Sequence, residues 1–324
     1  MSELLRIDDL TKHFHSSGGG GVIRAVNGVS LAQSKGETLG LVGESGCGKS
    51  TLGRLALRLI EPTSGAVHFD GSDLLALSPA QLRRRRRDMQ LIFQDPFASL
   101  DSRMKVAAII GEPLEIHAIG NRRSRTAEVA RLLELVGLPP EAAKLYPHEF
   151  SGGQRQRIGI ARAVALAPKL IVADEPVSAL DVSIQAQILN LLVDLKARLG
   201  LAYLFISHDL AVIRYISDRV AVMYLGRIVE LASVEQIFER PAHPYTQALI
   251  AAIPQPDPDR PTQRNVIRGD PPSPENLPTG CPFHPRCPQA TESCRTREPV
   301  ERDIGGPGAP HLVSCHLYAV EATR

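Results

Sequence analysis

The run Gly43-Glu44-Ser45-Gly46-Cys47-Gly48-Lys49-Ser50-Thr51 constrains this chain more than any other segment. It follows the apolar stretch Thr38-Leu39-Gly40-Leu41-Val42 and opens a helical pattern from Ser50 to Leu59. A glycine-rich turn between a buried strand and a helix N-terminus is the setting in which G-x-x-x-x-G-K-[ST] cradles a triphosphate. Gly43, Gly46 and Gly48 admit backbone conformations closed to other residues, so successive N–H groups can aim at phosphate oxygens. Lys49 supplies positive charge at the β/γ oxygens, and the Ser50 hydroxyl is placed to ligate Mg²⁺. The competing reading is a glycine-rich strand-to-helix turn that binds nothing, and the flanking strand and helix weigh against it.

The rest of the chain is predicted to build an α/β core around that loop. Short β-rich runs at Leu4–Leu10 and Val22–Leu31 predict a small antiparallel sheet beside the strand Thr38–Val42. Gly18 to Gly21 reads as a hairpin tip. Strands are expected at Ala66–Asp70, Met89–Phe93, Leu170–Ala173 and Ala202–Ile206, the last two separated by an amphipathic helix over Ile184–Leu199. Strand, crossover helix and strand imply a parallel sheet. Between them, residues from about 95 to 168 read as an inserted helical subdomain, with apolar spacing in Ala127–Val136 and Ile158–Leu166. After Ile253 the composition turns to proline, which predicts a nucleotide-binding domain over 1–253 and a linker with a loop-rich tail over 254–324. No stretch of eighteen apolar residues occurs, and Met1–Leu10 has no basic segment leading an apolar core, so the expectation is a chain that stays in the cytosol. With 37 basic against 35 acidic residues there is no overall pull toward nucleic acid or anionic lipid.

Downstream, Leu170-Ile171-Val172-Ala173 ends in Asp174-Glu175. A carboxylate at the end of a buried strand beside a phosphate loop can hold Mg²⁺, which assigns Asp174 to the metal. Glu175, one residue later, is the candidate that polarises water for in-line attack on the γ-phosphorus. Phe150-Ser151-Gly152-Gly153-Gln154 stands just before the helical run from Arg157, and a serine with two glycines at a helix start presents donors to an anion.

A phosphate loop, this Ser-Gly-Gly-Gln turn and the acidic strand, in that order, resemble the ATP-binding cassette (ABC) ATPases. The resemblance implies an ABC core of antiparallel β subdomain, α/β ATPase and helical subdomain. It implies further that Ser151, Gly152, Gly153 and Gln154 contact the γ-phosphate held by an opposite subunit. Gln94, in Ile92-Phe93-Gln94-Asp95-Pro96, matches the loop whose amide reaches Mg²⁺ and the attacking water. Asp181, in Ser178-Ala179-Leu180-Asp181, matches the loop that crosses the dimer. His208 matches the histidine that contacts the γ-phosphate, and Phe14, with His15 second, is the aromatic expected to stack on adenine. Phe150 stands where the family usually has leucine, a change expected to alter packing more than phosphate contact.

Gly43–Thr51, Phe93-Gln94-Asp95-Pro96, Tyr146–Arg157 and His243-Pro244-Tyr245-Thr246-Gln247-Ala248-Leu249 are similar to the ATPase subunits of dipeptide, oligopeptide and nickel importers, and most of all to the second ATPase of the dipeptide system. That likeness implies a peripheral subunit at the cytoplasmic face of the membrane that hydrolyses ATP to energise peptide import. Its implied partners are a second, homologous ATPase, two membrane permease subunits and, indirectly, an external peptide-binding protein. No nucleic acid is expected. Import of nickel or another small solute is the alternative within the family, and a soluble ABC ATPase acting on nucleic acid or ribosomes is the alternative outside it.

Four of the five cysteines, Cys281, Cys287, Cys294 and Cys315, fall near the end, with five, six and twenty residues between them. Four thiols in a loop-rich segment suffice for a tetrahedral metal or an iron–sulfur site. The resemblance implies a 4Fe-4S cluster; zinc is the competitor, though paired C-x-x-C knuckles are missing, and unligated thiols are the third reading. His284 and His316 read as neighbours rather than ligands. Arg83 to Arg87 reads as a solvated helix end, with attraction to an anionic membrane as the second reading.

Overall fold

The structure is a computed structural model, and it describes residues 2–15, 21–95, 99–253 and 269–319. The expected hairpin tip at Gly18–Gly21, apart from Gly21, the first part of the proline-rich linker and Pro96 of the glutamine loop lie outside the described residues.

Two sheets are present. In the smaller, β1 (Glu3–His15) pairs antiparallel with β2 (Val22–Ser34) and with β4 (Ser64–Phe69), which pairs in turn with β5 (Ser72–Asp73). In the larger, β3 (Thr38–Val42), β6 (Met89–Ile92), β7 (Leu170–Asp174), β8 (Ala202–Ser207) and β9 (Arg219–Tyr224) lie in the order β9-β3-β8-β7-β6, every neighbouring pair parallel. Antiparallel strands β10 (Arg227–Ser233), β12 (Leu312–Ser314) and β11 (Glu301–Asp303) extend it beyond β9 to eight strands.

Strands buried on both faces need apolar side chains at every position, and β3 and β8 are buried throughout. Their side chains divide with period two. Leu204 and Ile206 of β8 and Leu170 and Val172 of β7 face one core, shared with Leu52 and Leu55 of helix α1 (Lys49–Ala56) and with β1, β2 and β4. Tyr203, Phe205, Ile171 and Ala173 face a second core on the other side. That core also takes in α3 (Val106–Ile116), α4 (Arg122–Leu135), α5 (Gly152–Val164), α6 (Val182–Leu199) and α7 (Leu210–Ile216). Helix α2 (Pro79–Arg85), opened by a Ser78–Gln81 capping box, leads into β6. The helical insertion is thus α3 to α5, anchored by Ile109, Ile110, Leu132, Leu133 and Ile158. Phe150 joins the same core at 8% exposure, as a packing residue would.

The tail is tied to this body. Beyond α8 (Val234–Glu239) and α9 (Pro244–Ala251), the chain returns through Phe283, 1% exposed and in the second core with Cys281 and Cys294. After α10 (Glu292–Thr296), strand β12 pairs with β10 through Val313↔Glu230 and Leu312↔Leu231. Beneath that junction the Glu230 carboxylate, 1% exposed, accepts from the amides of Ala242 (2.7 Å) and His243 (2.8 Å), and His311 Nε2 lies 2.7 Å from it. The arginine run is partly absorbed by the fold. Arg85 donates to Ser72 Oγ at 2.6 Å and Arg86 to the Arg58 carbonyl at 2.9 Å.

Candidate functional site

In an open parallel sheet, ligands bind at the carboxyl ends of the strands. The ends of β3, β8, β7 and β6, adjacent in that order, deliver residues 43–51, His208, Asp174 with Glu175, and Gln94 to one edge. Topology therefore gathers four motifs spread over 166 positions of sequence, from Gly43 to His208.

The loop after β3 is closely fitted. A Cβ on Gly43 would stand 2.1 Å from the Met223 carbonyl oxygen, so only glycine lets the loop lie against β9. Gly48, at φ +107°, caps α1 in a left-handed conformation. Lys49 is 5% exposed and folds back onto its own loop: Nζ donates to the carbonyls of Gly43 (2.8 Å) and Glu44 (2.9 Å) and lies 3.9 Å from Cys47 Sγ. Cys47 itself is buried, and burial raises its thiol pKa. Ser45 and Gly46 are exposed and Thr51 is half-buried on α1. Ser50 Oγ donates to Asp174 Oδ1 at 2.7 Å. Burial raises the Asp174 pKa, and this hydrogen bond opposes the shift. A hydroxyl and a carboxylate meeting at one point are hard oxygen donors of the kind Mg²⁺ takes alongside phosphate oxygens, so these residues fit that ion.

Glu175 is where the remaining candidates meet. Gln94 Nε2 donates to its Oε2 at 3.0 Å, and His208 Nδ1 lies 3.2 Å from the same oxygen. Glu175 adopts φ +47°, a conformation costly for a residue with a side chain, and its amide donates to the Ile206 carbonyl (3.0 Å). The turn thereby lifts the carboxylate off the strand toward the exposed Gln94 and His208.

Other sequence candidates stand apart from this cluster. Ser151 and Gln154 form a capping box at the start of α5, with the Ser151 amide donating to Gln154 Oε1 (3.0 Å) and the Gln154 amide to Ser151 Oγ (3.4 Å). Within one chain the serine hydroxyl thus serves its own helix. Gly152 and Gly153 are half-buried in the first turn; a Cβ on Gly153 would meet Ile184 Cγ2 at 2.5 Å. Asp181 is the exposed N-cap residue of α6 and makes no side-chain cap hydrogen bond, with Val182 beside it 83% exposed. Phe14 on β1 is 39% exposed, its ring 5.0 Å from the Lys12 ammonium, and His15 is exposed next to it.

The cysteine tail departs from expectation. Cys281, Cys294 and Cys315 are buried and Cys287 half-buried, all as free thiols. Among the described residues, no group of three or more His, Cys, Asp or Glu side chains could hold a metal ion. The site expected on Cys281, Cys287, Cys294 and Cys315, whether for a 4Fe-4S cluster or for zinc, is therefore not assembled among the described residues. Burial raises the pKa of the Cys281, Cys287 and Cys315 thiols, the last up to about 11. His284 and His316 bond backbone carbonyls, those of Cys281 (3.0 Å) and Arg297 (2.9 Å).

Side chains from the tail and from α9 hold the loop from behind, and no sequence motif points to them. Arg286 donates to both Glu44 carboxylate oxygens, at 2.8 and 3.0 Å, and the Glu44 amide donates to Tyr245 Oη at 2.9 Å. The signals were present in His243-Pro244-Tyr245 and in the Cys281–Cys287 run, but neither has a spacing that points to residue 44.

A glycine-rich loop opening a helix, a serine–aspartate pair and a glutamine–glutamate–histidine cluster at neighbouring strand ends are the arrangement expected of an ATP-binding cassette ATPase. The ABC transporter family matches residues 26–178, and the oligopeptide/dipeptide transporter C-terminal region matches residues 229–294. The chain is 56% identical over 312 residues to a Brucella ovis protein provisionally named a peptide import ATP-binding protein, covering 96% of this chain and 97% of that one. It is 51% identical over 325 residues to the oligopeptide transport ATP-binding protein AppF of Bacillus subtilis, covering 98% of each. The dimeric, post-hydrolysis ATP-binding cassette MJ0796 bound to ADP and Pi superposes with a TM-score of 0.65 at 29% identity, over 71% of this chain and 99% of that one. The chain belongs to the ABC transporter ATP-binding family, among the members that carry the oligopeptide/dipeptide transporter C-terminal region. Among its described residues no helix is long and apolar enough to cross a membrane.

Proposed function

We propose that the chain energises import of dipeptides or oligopeptides across the cytoplasmic membrane, bound at its inner face to two permease subunits and paired with a second, homologous ATPase. The observation that carries the chemistry is the convergence of Gln94 and His208 on Glu175 beside the Ser50–Asp174 pair. Residues 43–51 hold the phosphates and Phe14 takes the adenine face. Ser50 and Asp174, with Gln94, would hold Mg²⁺, which would supply neutralisation of the phosphate charge. Glu175 accepts the proton of the attacking water, Gln94 orients that water, and His208 donates to the γ-phosphate as charge develops there. Ser151 to Gln154 and Asp181 act on the nucleotide of the facing subunit. Peptide as the cargo is supported by the C-terminal region match and by the names of the relatives.

The same reading assigns a 4Fe-4S cluster to Cys281, Cys287, Cys294 and Cys315. Its support is that all four are free thiols and that the Cys281 amide donates to the Cys294 carbonyl (2.8 Å), although the four do not close on a single ion. Iron content and visible absorbance of anaerobically prepared protein test it; colourless, iron-free protein removes the cluster.

The functional test is reconstitution. The chain, co-purified with its permeases and partner ATPase in proteoliposomes, is expected to drive ATP-dependent uptake of a labelled dipeptide or oligopeptide delivered by the external binding protein. Uptake of nickel but not peptide would move the cargo, and bound RNA or DNA with no permease would overturn the transporter reading.

A further inference from the structure

Glu44 is an anomaly: it places a carboxylate inside a loop whose task is to surround the most negatively charged part of the nucleotide. The tail deals with that carboxylate. Arg286, whose side chain is 7% exposed, grips it with a two-pronged fork at 2.8 and 3.0 Å. Arg286 Nη1 also donates to Tyr224 Oη at 3.4 Å, and the guanidinium lies 5.9 Å from the Tyr224 ring centroid. Three residues upstream, Phe283 meets Tyr224 edge-on (5.2 Å, 87°) and touches Tyr245 (5.4 Å), whose hydroxyl accepts the Glu44 amide. Tyr224, Tyr245 and Phe283 are each at most 1% exposed, so the arginine is mounted on a rigid aromatic block.

Residue 44 is therefore held at three points: amide by Tyr245, side chain by Arg286 and carbonyl by Lys49. With Lys49 engaged on a triphosphate, the Cys47 amide still reaches the Glu44 carbonyl at 3.3 Å, but the side chain is held by Arg286 and the amide by Tyr245. We infer that Arg286 is a positioning residue for ATP binding, holding the Glu44 carboxylate neutralised and turned away from the phosphate cradle. The inference rests on reading residues 43–51 as that cradle. Because the pair acts before chemistry, its loss changes nucleotide affinity and leaves the hydrolysis step alone.

The test is a cycle on the full chain in its assembled complex. Arg286→Ala is expected to raise KM for ATP about tenfold with kcat within twofold of the unaltered protein. Adding Glu44→Gln removes the unneutralised carboxylate and should bring KM back to within about threefold. That rescue is something a merely structural arginine would not show. Should Arg286→Ala fail to fold, Arg286→Lys keeps a cation without the fork and should raise KM about threefold. A KM unchanged in either arginine variant, a loss confined to kcat, or failure of Glu44→Gln to restore affinity overturns the proposal. If the unaltered chain binds no ATP, the cradle falls and the clamp with it; if it binds ATP and Arg286→Ala binds equally well, only the clamp falls.

Discussion

Glu175→Gln isolates the chemical step from the fold that supports it. The substitution preserves side-chain volume, and the glutamine oxygen can still accept from Gln94 Nε2, which now stands 3.0 Å from the carboxylate. His208 Nδ1, 3.2 Å from the same oxygen, can donate to it as well when the imidazole carries its proton on that nitrogen. Both contacts survive in kind, so the cost in stability is expected to stay below about 1 kcal/mol. What is lost is the ability to take a proton. A positioned general base contributes roughly 10²–10⁴ in rate, and each factor of ten is about 1.4 kcal/mol, so the barrier should rise by about 3–5 kcal/mol. Phosphate release by the assembled complex at saturating Mg-ATP measures turnover, and equilibrium dialysis measures retained nucleotide. The expected result is ATP bound at normal affinity and turnover reduced at least a hundredfold. Turnover within threefold of the unaltered complex, with ATP bound, would remove Glu175 from the role of base.

Glu230→Ala should leave the amides of Ala242 and His243 and the His311 ring without their buried acceptor, lowering stability by about 3–5 kcal/mol; an unchanged midpoint in chemical denaturation would refute this. His243 gives a pH dependence with a definite sign. Burial pushes its pKa down to about 4, and its Nδ1 accepts the Tyr245 amide at 3.0 Å, so the folded chain holds it neutral. The unfolded chain binds that proton near pH 6.5, so His243 gives full stability above that pH and loses it as pH falls toward 4, by about 3 kcal/mol in all. His243→Asn, which keeps an acceptor at the helix N-cap, should flatten that part of the melting-temperature profile; an identical slope would refute the assignment.

The candidate site was legible because each of its motifs follows a short apolar strand: Thr38–Val42, Leu170–Ala173 and Ala202–Ile206 announce themselves by composition, and parallel order then brings Lys49, Asp174, Glu175 and His208 to one edge. The same logic could not see the tail. Strand β11 is three exposed residues, Glu301–Asp303, with no apolar alternation, and β12 is Leu312–Ser314, too short for any period to register. Their place is decided by pairing with β10, a non-local choice. The Arg286–Glu44 contact joins residues 242 positions apart, and nothing local to either announces the other. Ser151 shows a different limit: its residue type was read as an anion donor, yet the same hydroxyl and the glutamine three places on satisfy a helix start.

The short strand Leu312–Ser314 also covers what would otherwise be the bare rim of the large sheet. Cut away from residue 254 onward, β10 would offer an open row of amides and carbonyls flanked by the apolar Val229 and Leu231, an adhesive border for any other extended chain. A shortened version made to simplify handling would therefore pay in self-association, clumping through its rim before its nucleotide chemistry could be assayed.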